Sequence, residues 1–275
     1  MSKLFQTAIH RATAEHLPPM EEIERFGSDG EEAVCSLLYR HFDCVIRNTV
    51  VPHKELFLEK DLTVIYNGTP VVLEIKNWKG EIGAEGSKFY QNKENGVRKT
   101  LKSPVGTTRQ FIKCMKDFYH IKEAVYGAVV FAEPDCTLSL PREMDGIALL
   151  RPEETVAYIR ACAKKDADRK EPLPPNRLLR CTRLYSADRE FCKGILADPY
   201  LECYTEDGRR ARIDTTRLRY LSVEPQPLRL QDKLYVTYVN GATDVFYNRD
   251  TVLTLGCLDG SYQKFALHRI RHIVF

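Results

Sequence analysis

None of the nine cysteines in this 275-residue sequence stands in a Cys-x-x-Cys pair. Zinc ribbons are built on such pairs, so that class is excluded. An odd, scattered set of thiols also argues against a disulfide framework and for a reduced, cytoplasmic chain. Cys35, Cys114 and Cys162 fall inside helical patterns, where a thiol serves as a small apolar group. Long apolar runs are missing too. The longest, Val125 to Ala132, falls far short of the ~20 residues a membrane helix needs, so no membrane partner is expected. Met1 to Met20 lacks the apolar centre of a signal peptide. A Gly-rich phosphate loop is absent, which removes the ATPase class. Charge of one sign is not in excess either. The net +3 permits a nucleic-acid partner without demanding one.

What is present can fold. Hydrophobic residues make up 43 % of the chain, enough for a buried core, and the length fits two domains. The clearest boundary is Lys164 to Asn176, a charge run followed by a proline cluster, which makes a poor helix or strand. The expected division is a first domain over 1–165, a linker over 166–176 and a β-rich hairpin or barrel domain over 177–275. The first part reads helix, three strands, helix, strand, helix. The helices are placed from Gly30 to about His41, Thr107 to His120 and Glu153 to Lys165. The strands are placed at Asp43–Val51, Lys60–Tyr66, Pro70–Asn77 and Tyr126–Ala132, with a further short one at Ala148–Leu150. Lys88 to Lys102 reads as a mobile loop. The second part repeats weakly. Leu201-Glu202-Cys203 followed by Asp207-Gly208 matches Leu255-Gly256-Cys257 followed by Asp259-Gly260, and Arg217-Leu218-Arg219 matches Arg269-Ile270-Arg271. Asp-Gly signals a tight type I′ hairpin, and Asn240-Gly241 adds a third hairpin, so a small barrel or curled sheet is expected.

The chemistry lies between Asp61 and Lys76. Residues two apart on a strand share a face, so Glu74 and Lys76 project together while Val71, Leu73 and Ile75 face apolar packing. Pairing through the Asn67-Gly68 turn brings Asp61 level with Glu74. Two carboxylates and an ammonium then meet at one end of a hairpin. Hard oxygen ligands of this kind hold Mg²⁺, which polarises a phosphate and lowers the pKa of a bound water. The arrangement suits phosphodiester hydrolysis, and an incidental surface ion pair is the plainer alternative. Glu31 lies among Val34, Cys35, Leu38 and Phe42 on the helical wheel, where a carboxylate is costly unless paired or metal-bound. A first-turn acid favoured by the helix dipole is the alternative. Glu32 points about 100° away, towards solvent.

Gly27-Ser28-Asp29-Gly30-Glu31-Glu32, Glu59 to Ile65 and Val71 to Ile82, with its Glu74-Ile75-Lys76-Asn77-Trp78 and Gly80, together resemble the NERD (nuclease-related domain) family of the PD-(D/E)xK nuclease superfamily. The resemblance covers about Gly27 to Leu150. It implies an α/β domain with a central mixed sheet flanked by helices, in the αβββαβ order of restriction-endonuclease-like folds. It further implies that Asp61, Glu74 and the carbonyl of Ile75 bind Mg²⁺ or Mn²⁺, that Glu31 supports the metal site, that Lys76 is the catalytic lysine and that Gln110 lies near the scissile phosphate. Lys60 departs from the pattern, standing where the family has an apolar residue.

His41, His53 and His120 share no metal-ligand spacing and read as ordinary surface or core residues. Lys93, Arg98, Lys99 and Lys102 could guide a phosphate backbone or belong to a solvated loop. Arg209, Arg210, Arg212, Arg217 and Arg219, near Tyr204, could bind single strands, but Glu202, Glu206, Asp207 and Asp214 intermix with them. The hairpin ending in Leu267-His268-Arg269-Ile270 faintly resembles a WYL-type, SH3-like module. The expected function is a metal-dependent deoxyribonuclease, acting on DNA ahead of RNA, with a C-terminal β domain that binds nucleic acid or a ligand. The alternative is a catalytically silent nuclease fold that binds nucleic acid or a protein partner.

Overall fold

The computed structural model describes residues 29–53, 56–86, 88–92, 97–175, 178–186, 189–198, 200–226, 231–256 and 261–275. These fall into two compact units that divide after Leu179. Among the described residues no helix is long and apolar enough to cross a membrane.

The first unit is mixed α/β. Helix α1 (Asp29–Tyr39) leads into an antiparallel meander of β1 (Val45–His53), β2 (Leu56–Tyr66) and β3 (Thr69–Lys76). Asn67 and Gly68 join β2 to β3 with φ of 50° and 78°, the I′ geometry that Asn-Gly favours. Three short strands follow, β4 (Glu81–Glu85), β5 (Lys88–Asn92) and β6 (Arg98–Leu101), and then helix α2 (Pro104–Tyr119). Ser103 caps α2 by accepting from the Gly106 amide, and Pro104 starts it where no donor is needed. The rest is β7 (Tyr126–Phe131), β8 (Thr137–Ser139), β9 (Glu143–Met144), β10 (Ile147–Leu150) and α3 (Pro152–Lys165). Strand β7 runs parallel to β3 and β10 parallel to β7, so the central sheet is mixed, in the order β1-β2-β3-β7-β10-β9. Helices α1 and α3 bury Val34, Leu38 and Ile159 against Leu62, Leu73 and Ile75 on one face. Helix α2 buries Phe111 and Met115 against Ile65 and Val72 on the other.

Two expectations change here. Residues 88–102 are not a simple loop. β5 and β6 pair antiparallel in a four-stranded sheet, β6-β5-β4-β8, because fully buried Phe89 packs with Ile82 and Val105. Polar Lys and Asn residues around that phenylalanine masked the pairing, and Asn95-Gly96 lie outside the described residues. The stretch expected as a linker is packed as far as Leu173. Thr69 donates to Asp166, Arg169 pairs with Asp166 and Glu123, and Leu173 is buried beside Phe111 and Met115. A charge run reads as solvated when its partners are distant in sequence, and Glu123 lies 46 residues before Arg169.

The second unit is antiparallel throughout and is built twice. Its strands are β11 (Leu179–Ser186), β12 (Arg189–Leu196), β13 (Tyr200–Tyr204), β14 (Arg210–Asp214) and β15 (Leu218–Pro225), then β16 (Asp232–Tyr238), β17 (Thr243–Asn248), β18 (Val252–Gly256), β19 (Tyr262–Ala266) and β20 (His272–Val274). One offset of 52 residues carries the first five onto the last five. It takes the Tyr200–Asp214 pair to Val252–Ala266, the Arg183–Lys193 pair to Tyr235–Val245, and the 3-10 turn Thr215–Arg217 to Leu267–Arg269. The two repeats exchange strands. β12 pairs with β18 and β17 with β13, while β20 pairs with β11 and β15 with β16. β15 and β20 meet with the equivalent residues Leu221 and Ile273 opposite each other, which places a local two-fold axis between them. A single core, from Leu184 through Leu221 and Val236 to Ile273, serves both repeats. The Asp207-Gly208 turn is not type I′. Only Gly208 has positive φ, and the Gly208 amide bonds the Thr205 carbonyl, which is a type I turn closed by a left-handed glycine. Asn240-Gly241 folds the same way, and Asp259-Gly260 lies outside the described residues.

Candidate functional site

Strands β2 and β3 pair from the turn as far as Leu62 and Leu73, and Asp61 and Glu74 stand one step beyond. There the ladder ends and side chains take over. The Asp61 carboxylate accepts from the Ile75 amide at 2.6 Å. The Lys76 carbonyl accepts from Ala132 beyond β7, so alternation turns the Ile75 carbonyl to the β2 side, where pairing has stopped. Lys76 meets Glu74 at 2.5 Å, and a second ammonium, that of Lys60, also meets Glu74 and lies 3.4 Å from the Thr107 hydroxyl of α2.

Lys60 reaches this face because β2 changes phase. Leu58 packs with the α2 cluster and Leu62 with the α1–α3 cluster, although strict alternation puts residues four apart on one face. Across the ladder, Arg47 pairs with Leu62 and Thr49 with Lys60, and the residue between them, Asn48, has a left-handed φ of 50°. Asparagine is among the few non-glycine residues that adopt this conformation readily. The kink therefore sits opposite Asp61.

Helix α1 closes on the sheet at Gly30. A Cβ there would lie 2.8 Å from the Ala132 Cβ and 3.0 Å from Asn77, so only glycine permits the approach. It brings Glu31, half-buried, close enough for its charge to act on Asp61 and Lys76. Glu32 does not face solvent as its wheel position suggested. It bonds the buried Arg47 guanidinium at 2.8 Å, a partner no helical wheel can display.

The electrostatics are uneven. Burial, with the charges of Glu74 and Glu31 added, pushes Asp61 up to about 7 against the opposing Ile75 amide and Lys76. Burial also works against the Glu74 charge, but Lys60 and Lys76 outweigh it and hold that carboxyl below its usual range. Burial opposes the Lys76 charge as well, yet Glu74, Asp61 and Glu31 keep its ammonium above its ordinary value.

Residues 26–132 match the family model of NERD, the nuclease-related domain. The matched stretch runs from α1 to β7 and contains Glu31, Asp61, Glu74, Lys76 and Gln110. No curated protein and no solved structure matches the chain.

Within the NERD-matched stretch, Asp61, Glu74, Lys76 and the Ile75 main chain come together, with Glu31 in electrostatic range. The Gln110 amide lies 3.4 Å from His53, whose other ring nitrogen is 3.2 Å from the Cys114 thiol. Lys99 and Lys102 are exposed, Arg98 pairs with Glu85 and stacks 3.7 Å over Tyr90, and Lys93 is outside the described residues. In the second unit Arg212 and Arg249 cover the faces of Tyr200 and Tyr204, and Arg209 pairs with Asp207. Lys60, Thr107 and Asn48 are the site residues that motif reading missed. The one signal was Lys60 itself, which departs from the family pattern beside Glu59 and Asp61 on β2.

The donor set fits a divalent cation. Two carboxylates and a main-chain carbonyl are hard oxygen donors, and Asp61, raised by burial first and by the Glu74 and Glu31 charges second, sits where a cation would offset that carboxylate charge. Among the described residues no three acidic, imidazole or thiol side chains gather into a metal-binding group, so water would complete the shell.

Proposed function

We propose that the first unit is a nuclease of restriction-endonuclease-like arrangement that hydrolyses phosphodiester bonds in DNA with Mg²⁺ or Mn²⁺. The observation that carries this reading is the pair Asp61 and Glu74, level with each other where the β2–β3 ladder ends, with the Lys76 ammonium beside them. A divalent cation bound there would polarise a phosphate oxygen and lower the pKa of a water. Asp61, Glu74 and the Ile75 carbonyl would hold it, and Glu31 adds negative field from behind. Lys76 acts as a cation and hydrogen-bond donor to the phosphate, because its neighbours favour its charged form and so oppose a role as base. Its side chain is 24 % exposed, so it can leave Glu74 for substrate. The alternative, a silent platform, draws support from one observation: Glu74 already has two ammonium partners.

The test is cleavage of linear, nicked, single-stranded and circular DNA, and of RNA, with Mg²⁺, Mn²⁺ or chelator. Metal-dependent cleavage of DNA is expected. Lys76→Ala should keep nucleic-acid binding in Ca²⁺ while single-turnover cleavage falls ~10²-fold or more. Binding without cleavage by the wild type under every condition would establish the platform instead.

A further inference from the structure

We propose that Lys60 is a built-in competitor of the divalent cation, its ammonium holding the Glu74 oxygen that a metal would otherwise share with Asp61. This rests on the metal site just described and deepens it. Both Glu74 oxygens carry an ammonium, Oε1 that of Lys76 and Oε2 that of Lys60. The two lysines differ in what release would cost. Lys76 is partly exposed and can swing into water. Lys60 is 3 % exposed and is anchored a second time at Thr107, whose hydroxyl bonds the Pro104 carbonyl in the first turn of α2. Moving Lys60 off Glu74 would strand a buried charge, so an arriving cation can displace Lys76 but must share Glu74 with Lys60.

Charge points the same way. With Asp61 ionised, Asp61, Glu74 and Glu31 face two ammonium groups, and removing Lys60 doubles the net negative charge that a cation meets. At the short distances involved, one unit of charge in a partly buried site shifts affinity by a factor of ten or more. The phase change at Asn48 places Lys60 here, so the competitor is built into the strand rather than contributed by a loop.

The experiment is calorimetric titration of Mn²⁺ into the full chain, with circular dichroism to verify folding. The variants are Lys60→Met, Lys60→Arg and Lys76→Met. Lys60→Met should bind Mn²⁺ about tenfold tighter or more, Lys60→Arg should resemble wild type, and Lys76→Met should gain less than Lys60→Met because Lys76 can move aside unaided. If Lys60→Met fails to fold, Thr107→Val, which removes the second anchor, should shift affinity in the same direction by about two- to threefold. Unchanged or weaker binding in the folded variant overturns the proposal and leaves the nuclease reading intact. Binding by Lys60→Met alone upholds the competitor and removes metal-dependent cleavage from the natural chain. Absence of binding in every form overturns both.

Discussion

The two units bury polar groups in opposite ways. The first brings unlike charges together at a place where regular pairing ends: Lys60 and Glu74, both nearly inaccessible, with Lys76 and Asp61 beside them. The second places a hydroxyl–imidazole set on its two-fold axis. Tyr220 bonds His272 and stacks on it at 5.6 Å, and Ser222 donates to the Tyr220 hydroxyl at 2.8 Å. Tyr220 and His272 occupy equivalent positions in the two repeats. Duplication thus supplies the second unit with a centre where one repeat bonds the other through the Tyr220 hydroxyl and the His272 Nδ1, leaving the buried His272 Nε2 without a hydrogen-bond partner among the described residues, whereas the first unit keeps charge imbalance at one end of one hairpin. Imbalance is useful where a charged ligand must bind, and neutral hydrogen bonds between repeats are useful where two halves must hold together.

The largest expected difference comes from cutting each centre. Glu74→Ala leaves Lys60 buried without its carboxylate and should cost about 3–5 kcal/mol in urea denaturation. Tyr220→Phe removes a neutral hydroxyl from His272 and Ser222 and should cost roughly 1–2 kcal/mol. Equal losses would mean that the first cluster is hydrated and the contrast is false.

Acidity sharpens the comparison, since the two centres respond to pH with opposite sign. Asp61 rises to about 7 on folding, from ~3.9 in an unfolded chain, so its contribution to stability is full below pH ~4 and is lost as pH rises through 7. His272 falls to about 4 from an unfolded value of 6.5, through burial and the nearby Arg271 charge. Its contribution is full above pH 6.5 and is lost as pH falls towards 4. Trp78, the single tryptophan, lies in the first unit beside Phe131 and reports on that unit alone. In chelator, stability read from Trp78 fluorescence should fall from pH 5 to 8, and Asp61→Asn should flatten the curve. Total helix and strand signal should show a separate loss from pH 6.5 to 4 that His272→Gln abolishes. A Trp78 curve that Asp61→Asn leaves unchanged would remove Asp61 from the account.

The smallest effect tests the kink. Asn48→Gly should be nearly neutral, and Asn48→Ala should cost about 1–2 kcal/mol, the penalty of a left-handed residue with a Cβ. An alanine variant as stable as wild type would show that the strand can straighten and carry Lys60 away from Glu74.

The sequence alone determined the elements whose signals are local. Strand-forming runs on either side of Asn67-Gly68 marked β2 and β3, a continuous apolar run marked β7, spacings of three and four marked α2, and the Asn67-Gly68 turn brings Asp61 level with Glu74. Glu74 and Lys76 share a face because they are two residues apart on one strand, and nothing distant is needed to know it. The hairpin over 88–101 and the first half of each 52-residue repeat were legible only in part, because polar residues interrupt one and diverged residues hide the other. Tertiary structure decided the rest. Glu32 found Arg47, Gln110 turned to His53, Arg169 found Glu123, and Lys60 came onto the α2 face through a phase change at Asn48 on the neighbouring strand. Each of these depends on a partner far away in the chain, and local periodicity carries no information about which distant charge a buried charge will meet.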